Sequence, residues 1–249
     1  MRPFHHLDSV TTEEGRELTL HRRDQDFFIN LDGEELMSTR APGSEIALAE
    51  LGCEDLGSAR RPRVLIGGLG LGYTLRAALA VLPKQAQVVV AELFPAVVEW
   101  HRTHLASLAE GSLEDPRVRI EVQDVWDVLS TSGAFDAILL DVDNGPDGWC
   151  LDANSRLYHE GGLERIRKSL SEKGTLALWA SQPDPRYVQR LRKRGFQVRT
   201  QNVRTEGQGG NRRHVVILAR QGRPGQGRPV QGRRTSGRGA SRRRRGRAS

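Results

Sequence analysis

The chain has 249 residues, is 37% hydrophobic and 28% charged, and carries a net charge of +7. This balance suits one α/β domain with appendages, and no apolar run approaches the roughly 20 residues of a membrane-spanning helix. The two cysteines, Cys53 and Cys150, lie far apart without a CxxC partner. They argue against a disulfide framework or a zinc site, so no bound metal is predicted.

The N-terminal region predicts a small β-meander in residues 1–42. The first fifteen residues are polar and acidic and show no signal or transit pattern, so we expect a cytoplasmic protein. In residues 16–38, ELTLHRR, DFFINL and EELMS read as three strands, with a hairpin turn at Asp32-Gly33. Residues 43–52 predict a short helix with Ser44 as its N-cap and Gly52 at its end.

Residues 43–220 are predicted to form one Rossmann-like domain, and strand and helix signals alternate over its residues 62–220. Five strands are predicted in RVLIGG, AQVVVAEL, RVRIEVQD, FDAILLD and TLALWAS. The intervening helices are predicted in YTLRAALAVL, PAVVEWHRTHLASLA and GGLERIRKSLSEKG, the last stopped by Gly174. A further helix, DPRYVQRLRKRG, is capped by Asp184 and ends at Gly195, and FQVRTQNVRT and RHVVILAR form an antiparallel edge hairpin. The predicted fold class is α/β, a doubly wound, mostly parallel, Rossmann-like seven-stranded sheet.

The positive charge is concentrated at the C-terminal end. Residues 220–249 contain 11 arginines and no acidic residue, so the net charge of +7 leaves −4 for residues 1–219. Gly, Pro, Arg and Ser dominate residues 221–249, which are predicted to be disordered. Such a segment has two interpretations. It contacts RNA or another polyanion without sequence preference, or it is a solvated extension without a binding role.

Glycines and acids follow the predicted strands, where ligands bind in an open parallel sheet. Glu92 lies 22 residues after Gly70, the spacing at which a carboxylate accepts ribose hydroxyls. Asp124 follows the third strand, where it can meet an adenine edge, and Asp141 follows the fourth. The candidate cofactor-binding residues are therefore Gly68, Gly70, Gly72, Glu92 and Asp124, with Asp141 as the candidate catalytic residue.

The glycine pattern narrows the class of nucleotide. A dinucleotide fingerprint fails because Tyr73 or Leu75 stands where its third glycine or alanine belongs, and no P-loop motif is present. The spacing Gly68-x-Gly70-x-Gly72 is typical of S-adenosylmethionine folds. The expected co-substrate is therefore S-adenosylmethionine or its decarboxylated form.

With these segments the chain resembles the spermidine synthase family, a branch of the class I S-adenosylmethionine-dependent fold. The resemblance rests on VLIGGLGLGYTLRAAL, VVVAELFPAVVEW, RVRIEVQD, FDAILLDVDNGP and the hairpin FFINLDGEELMSTR. It implies Glu92 on the ribose, Asp124 at the adenine, Gly68–Gly72 at the thioether end and Asp141 at the amine. It also implies a homodimer or a larger oligomer.

The chain departs from this family in the half of the site that holds the amine. Leu71 replaces an aspartate of the glycine loop, Leu36 replaces a glutamine after the LDG turn, and Glu45 and Ile46 stand nearest to the family's tyrosine and glutamine. Asn144 replaces a second carboxylate, for which Asp143 and Asp147 are possible substitutes. The resemblance thus implies a nearly complete nucleoside site beside an amine site reduced to Asp141.

Three functions stay open on the sequence alone. The first is aminopropyl transfer from decarboxylated S-adenosylmethionine to an amine, with Asp141 orienting and deprotonating that amine. The second is methyl transfer from intact S-adenosylmethionine, with the basic tail bringing the enzyme to RNA. The third is a non-catalytic nucleoside-binding or RNA-tethering protein.

Overall fold

The N-terminal region forms a four-stranded antiparallel sheet. The computed structural model describes residues 3–131, 133–142, 152–204 and 213–222. The strands pair in chain order and are β1 (His5–Thr11), β2 (Glu17–Arg23), β3 (Asp26–Leu31) and β4 (Glu34–Ser38). The predicted meander is confirmed as β2 to β4. The sequence does not predict β1, because its side chains are exposed or half-buried and show no apolar alternation.

A seven-stranded sheet forms the body of the protein and confirms the predicted fold class. Its order is β10-β11-β9-β8-β5-β6-β7. The pairs among β5 to β9 are parallel, and β11 pairs antiparallel with both β9 and β10, which gives the predicted edge hairpin. The strands are β5 (Arg63–Gly67), β6 (Gln87–Glu92), β7 (Val118–Val122), β8 (Phe135–Leu140), β9 (Leu170–Ala180), β10 (Phe196–Arg204) and β11 (Arg213–Gln221).

Helices cover both faces of this sheet. They are α1 (Gly43–Gly52), α2 (Tyr73–Val81), α3 (Pro95–Arg102), α4 (Ala106–Ala109), α5 (Val125–Thr131), α6 (Asp152–Tyr158), α7 (Glu160–Ser169) and α8 (Pro185–Lys193), with a 3-10 turn at Ser112–Glu114. No helix among the described residues is long and apolar enough to span a membrane.

The helices confirm some local predictions about their ends and correct others. Helix α1 ends at Gly52 as predicted. Asp184 does cap α8, because its carboxylate accepts the N–H of Tyr187 at 2.7 Å. Ser44 does not cap α1: the helix begins at Gly43, and the Ser44 hydroxyl donates to the side chain of Glu45 instead. The single helix predicted over residues 95–109 is divided into α3 and α4, because Thr103 leaves the helical conformation with φ −117° and ψ −90°.

The predicted end of a helix at Gly174 is also wrong. Helix α7 ends at Ser169, and β9 begins at Leu170 because this residue pairs with Phe135 of β8. A Cβ at position 174 would lie 2.8 Å from the Phe135 carbonyl oxygen. Gly174 therefore permits a close approach of two strands and does not stop the helix.

Two apolar cores lie on opposite faces of the large sheet. Val64 and Ile66 of β5 face the first core, where α1, α2 and the N-terminal sheet pack, while Leu65 faces the second core, under α5, α7 and α8. This alternation is the burial expected of a central strand covered on both faces. The N-terminal sheet is thereby held beside the carboxyl ends of the parallel strands, through Leu18, Leu20 and Ile29.

Candidate functional site

One cavity of about 680 Å³ lies at the carboxyl ends of the parallel strands. Its volume is in the range of small-molecule sites. The N-terminal sheet and α1 form one side of it, and the loops after β5, β6, β7 and β8 form the other. All six residues predicted from the sequence line this cavity: Gly68, Gly70, Gly72, Glu92, Asp124 and Asp141.

The glycine loop follows β5 and leads into α2. Gly68, Gly70 and Gly72 have φ values of 88°, 52° and 81°, a left-handed conformation that favours glycine. Gly68 also meets the chain after β8, since a Cβ there would lie 2.6 Å from the carbonyl oxygen of Asp141. The loop is therefore in close backbone contact with the predicted catalytic position.

Glu92 holds the glycine loop from the end of β6. Its carboxylate accepts the N–H of Leu69 and the N–H of Phe94, each at 2.8 Å, and the residue is 5% exposed. Burial raises the pKa of Glu92, and the backbone N–H donors counteract that rise. Each carboxylate oxygen has a second lone pair, so this side chain can also accept hydroxyl groups from a ligand in the cavity.

Asp124 lies at the start of α5 with both oxygens engaged. One oxygen accepts the N–H of Trp126 at 2.7 Å, and the other accepts a hydrogen bond from the Arg156 guanidinium at 2.6 Å. That guanidinium also lies 4.9 Å from the centre of the Trp126 ring. Asp124 is thus positioned at the end of β7 by its own helix and by an ion pair from α6.

Asp141 lies at the end of β8 next to a second carboxylate that the sequence does not place there. Thr74 of α2 donates its hydroxyl to Asp141 at 2.7 Å and approaches the carbonyl oxygen of Glu45 at 3.5 Å. Burial, and then the charge of Glu45, raise the pKa of Asp141 to about 7, against the opposing Thr74 hydrogen bond. Burial raises the pKa of Glu45 as well.

His101 is a further contact of the glycine loop that the sequence analysis missed. Its Nε2 lies 2.9 Å from the carbonyl oxygen of Gly70, which requires the proton on that nitrogen. The ring is 2% exposed, and burial lowers its pKa while the Gly70 carbonyl opposes the shift. The sequence signal is a histidine on the buried face of α3, and such a face is usually only core.

The structure describes only part of the side of the cavity that the resemblance predicts to hold an amine. Leu36, Leu71 and Glu45 all line the cavity, so the departures from the family pattern do fall on its wall. Asp143, Asn144 and Asp147, the candidate additional amine ligands, lie outside the described residues. Of the segment 221–249 predicted to be disordered, Gln221 instead ends β11 by pairing with Phe196, and residues 223–249 lie outside the described residues. Among the described side chains, no cluster of three or more His, Cys, Asp or Glu could hold a metal ion.

The strand order, the glycine loop and the acids after β6 to β8 define a class I methyltransferase-like fold. Among solved structures, spermidine synthase from Thermotoga maritima matches with a TM-score of 0.66 and 20% identity, over 87% of this chain and 72% of that one. A spermidine synthase in complex with the transition-state analogue AdoDATO gives the same values. No protein-family model matches the chain.

Comparison of sequences finds curated relatives named polyamine aminopropyltransferase. The protein of Synechococcus sp. strain JA-2-3B'a(2-13) is 33% identical over 128 residues, which are 49% of this chain and 38% of the relative. That of Mycobacterium tuberculosis strain H37Rv is 29% identical over 198 residues, 76% of this chain and 36% of the relative. The chain spans under two fifths of both relatives. The chain is similar in fold to solved spermidine synthases and in sequence to curated polyamine aminopropyltransferases, which confirms the predicted resemblance.

Proposed function

We propose that this chain is an aminopropyltransferase that moves the aminopropyl group of decarboxylated S-adenosylmethionine to an amine. The observation that carries the proposal is the position of Asp141, a carboxylate beside Gly68 that burial keeps basic enough to take a proton near neutral pH. The similarity to polyamine aminopropyltransferases supports this choice over methyl transfer.

The nucleoside half of the proposed site uses the residues predicted from the sequence. Glu92 accepts the ribose hydroxyls through its remaining lone pairs, and Asp124 faces the adenine. The backbone of Gly68–Gly72 approaches the sulfur end. The cavity volume and this set of acceptors fit an adenosyl ligand.

The proposed reaction makes one bond and breaks one. The acceptor amine first gives a proton to the Asp141 carboxylate, since only the neutral amine has a lone pair for attack. That nitrogen then attacks the propyl carbon next to the sulfonium, the carbon–sulfur bond breaks, and its electron pair neutralises the sulfur to give methylthioadenosine. A base whose pKa lies close to the working pH is best suited to such a proton transfer.

The charge of the site disfavours the intact donor. S-adenosylmethionine carries an additional carboxylate, which would enter a cavity already lined by the carboxylates of Glu45 and Asp141. Like charges at close range repel, and the repulsion increases where water is excluded. Loss of that carboxylate from the donor removes the conflict.

The proposal predicts product only with the decarboxylated donor. The full chain is incubated with either donor and a panel of mono- and diamines, and products are identified by mass spectrometry. We expect an aminopropylated amine and methylthioadenosine. Methylated product from the intact donor would favour the methyltransferase hypothesis, and no calorimetric binding of methylthioadenosine or either donor would refute both enzymatic hypotheses.

Glu92→Gln is expected to weaken methylthioadenosine binding by about 10- to 100-fold, because an amide cannot accept from both Leu69 and Phe94 and also receive ribose hydroxyls. Calorimetry on the purified variant measures the change. The control is Glu99→Gln, an exposed acid on α3 whose ion pair with Arg102 is solvated. Equal affinities for both variants would contradict the assignment of Glu92.

Three further expectations stay predictions. The protein is expected to form a homodimer, to lie in the cytoplasm, and to contact RNA or another polyanion through its arginine-rich tail. A salt series of RNA affinities for residues 1–219 and for the full chain tests the last of them, since each phosphate contact adds to the salt dependence.

A further inference from the structure

Two carboxylates from different elements line the same cavity, and the charge of Glu45 acts on Asp141. Glu45 comes from α1 and Asp141 from the end of β8, and Thr74 of α2 donates to the carboxylate of Asp141 and approaches the backbone carbonyl oxygen of Glu45. The Ser44 hydroxyl donates to a side-chain oxygen of Glu45 at 2.6 Å, as the Thr74 hydroxyl does to Asp141 at 2.7 Å. Each carboxylate is thus oriented by one neutral hydroxyl and has lone pairs left for a ligand.

The neighbouring wall of the same cavity is apolar. Leu36, Met37 and Leu71 line it, and Leu71 is 4% exposed. Met37 lies over the glycine loop, since a Cβ on Gly70 would come 2.8 Å from its sulfur. Glu35 and Arg40 also reach this side, but Glu35 is exposed at the rim and Arg40 pairs with Asp26 at 3.3 Å.

We propose that the acceptor is a primary amine with a single ammonium group, held between Glu45 and Asp141, whose apolar remainder packs on Leu36, Met37 and Leu71. This inference rests on the proposed function and names its substrate class. A buried ammonium needs charged or polar partners, and the carboxylate pair supplies them for one such group. On the part of this wall that the structure describes, a second ammonium would be desolvated against the leucine and methionine side chains.

The electrostatics of the pair agree with a cationic ligand. Burial raises the pKa of both acids, and the charge of Glu45 adds to the rise at Asp141. A bound ammonium opposes this rise, because a nearby positive charge favours the ionised form of a carboxylate.

The test compares two amines that differ only in the second ammonium. Calorimetry of the full chain, saturated with methylthioadenosine, measures the affinities of 1-aminohexane and 1,6-diaminohexane. We expect 1-aminohexane to bind at least about tenfold more tightly, because the diamine must desolvate a second charge. Tighter binding of the diamine, lost in Glu35→Gln, would overturn the inference by placing the second ammonium at the rim.

Glu45→Gln tests the carboxylate pair directly. We expect it to weaken 1-aminohexane by about 10- to 100-fold, the range for one hydrogen bond to a charged partner, with methylthioadenosine affinity unchanged. The matched control is Glu50→Gln, an exposed acid on the same helix. An unchanged affinity for 1-aminohexane in Glu45→Gln would overturn the role of Glu45.

Leu71→Asp is a second test of the inference, and it does not depend on the folding of Glu45→Gln. A carboxylate on the apolar wall is expected to reverse the preference toward 1,6-diaminohexane, and an unchanged preference would count against the apolar wall. The outcomes separate this inference from the proposed function. Transfer to diamines alone leaves the proposed function standing and refutes the inference, whereas no binding of methylthioadenosine refutes the proposed function itself.

Discussion

Asp141→Asn is expected to lower kcat for aminopropyl transfer by about 100- to 10 000-fold, the usual contribution of a positioned general base. Asparagine cannot take the proton of the acceptor, but its amide oxygen can still accept the hydroxyl of Thr74. Steady-state rates with decarboxylated S-adenosylmethionine measure the loss, and the affinity for methylthioadenosine is the control for folding. A rate indifferent to this substitution would refute Asp141 as the base.

The same residue predicts the pH dependence of the reaction. Because the carboxylate must be ionised to act, kcat/KM of the wild-type protein should fall as the pH drops below about 7, the pKa that burial and Glu45 give Asp141. Glu45→Gln removes one of these causes and should move the fall to lower pH. A profile that is flat between about pH 6 and 8 would contradict the assignment.

The stability of the wild-type protein is expected to fall as the pH rises, whereas kcat/KM is expected to fall as the pH drops. The folded pKa of Asp141 is raised, so the folded state binds its proton more tightly than the unfolded chain does, and this stabilisation is lost as the pH rises toward and through 7. Asp141→Asn removes the carboxylate and with it this loss. The change that the substitution makes in the free energy of unfolding should therefore be about 1–3 kcal/mol more stabilising at pH 8 than at pH 4. Urea denaturation at both pH values measures the difference.

Gly68→Ala is expected to destabilise the protein by about 2–4 kcal/mol and to abolish nucleoside binding, because a left-handed alanine is strained and its Cβ has no room. The alanine would have to adopt φ +88° and place its Cβ 2.6 Å from the carbonyl oxygen of Asp141. That oxygen belongs to the backbone, so relieving the contact would separate the glycine loop from the chain after β8. Urea denaturation and methylthioadenosine calorimetry give the two readouts.

Gly15→Ala is the matched control for this substitution. Gly15 has φ +78°, close to that of Gly68, but a Cβ added to it would meet no atom within 4 Å. The change should cost only about 1–2 kcal/mol, the strain of a left-handed alanine, and leave binding intact. Equal losses of stability in the two variants would show that backbone strain alone, and not the contact with Asp141, accounts for the effect of Gly68→Ala.

Local sequence patterns were sufficient to predict the parallel strands and the acids that line the cavity at their carboxyl ends. Apolar runs of about five or six residues predict β5, β6 and β8, because strands covered on both faces need apolar side chains throughout. Once these strands are placed, the acids that follow them must lie at one edge of the sheet. The positions of Glu92, Asp124 and Asp141 on one cavity follow from that rule.

Boundaries that depend on pairing were harder to predict. The sequence extends α7 to Gly174, because residues 170–173 have no strong strand pattern, but pairing of Leu170 with Phe135 begins β9 there. The weakly patterned β1 forms for a similar reason, through its pairing with β2. Hydrogen bonds to a neighbouring strand can override local propensity.

The sequence by itself determined the class of fold and the placement of Glu92, Asp124 and Asp141 on one cavity, because both follow from periodicity and from the order of loops in a parallel sheet. Only the tertiary structure placed Glu45 beside Asp141, with Thr74 between them, since no local pattern relates α1, α2 and β8. Only the tertiary structure showed that Leu36, Met37 and Leu71 share a wall. Contacts between distant segments are set by the packing of whole elements, so the sequence alone could not place these side chains together.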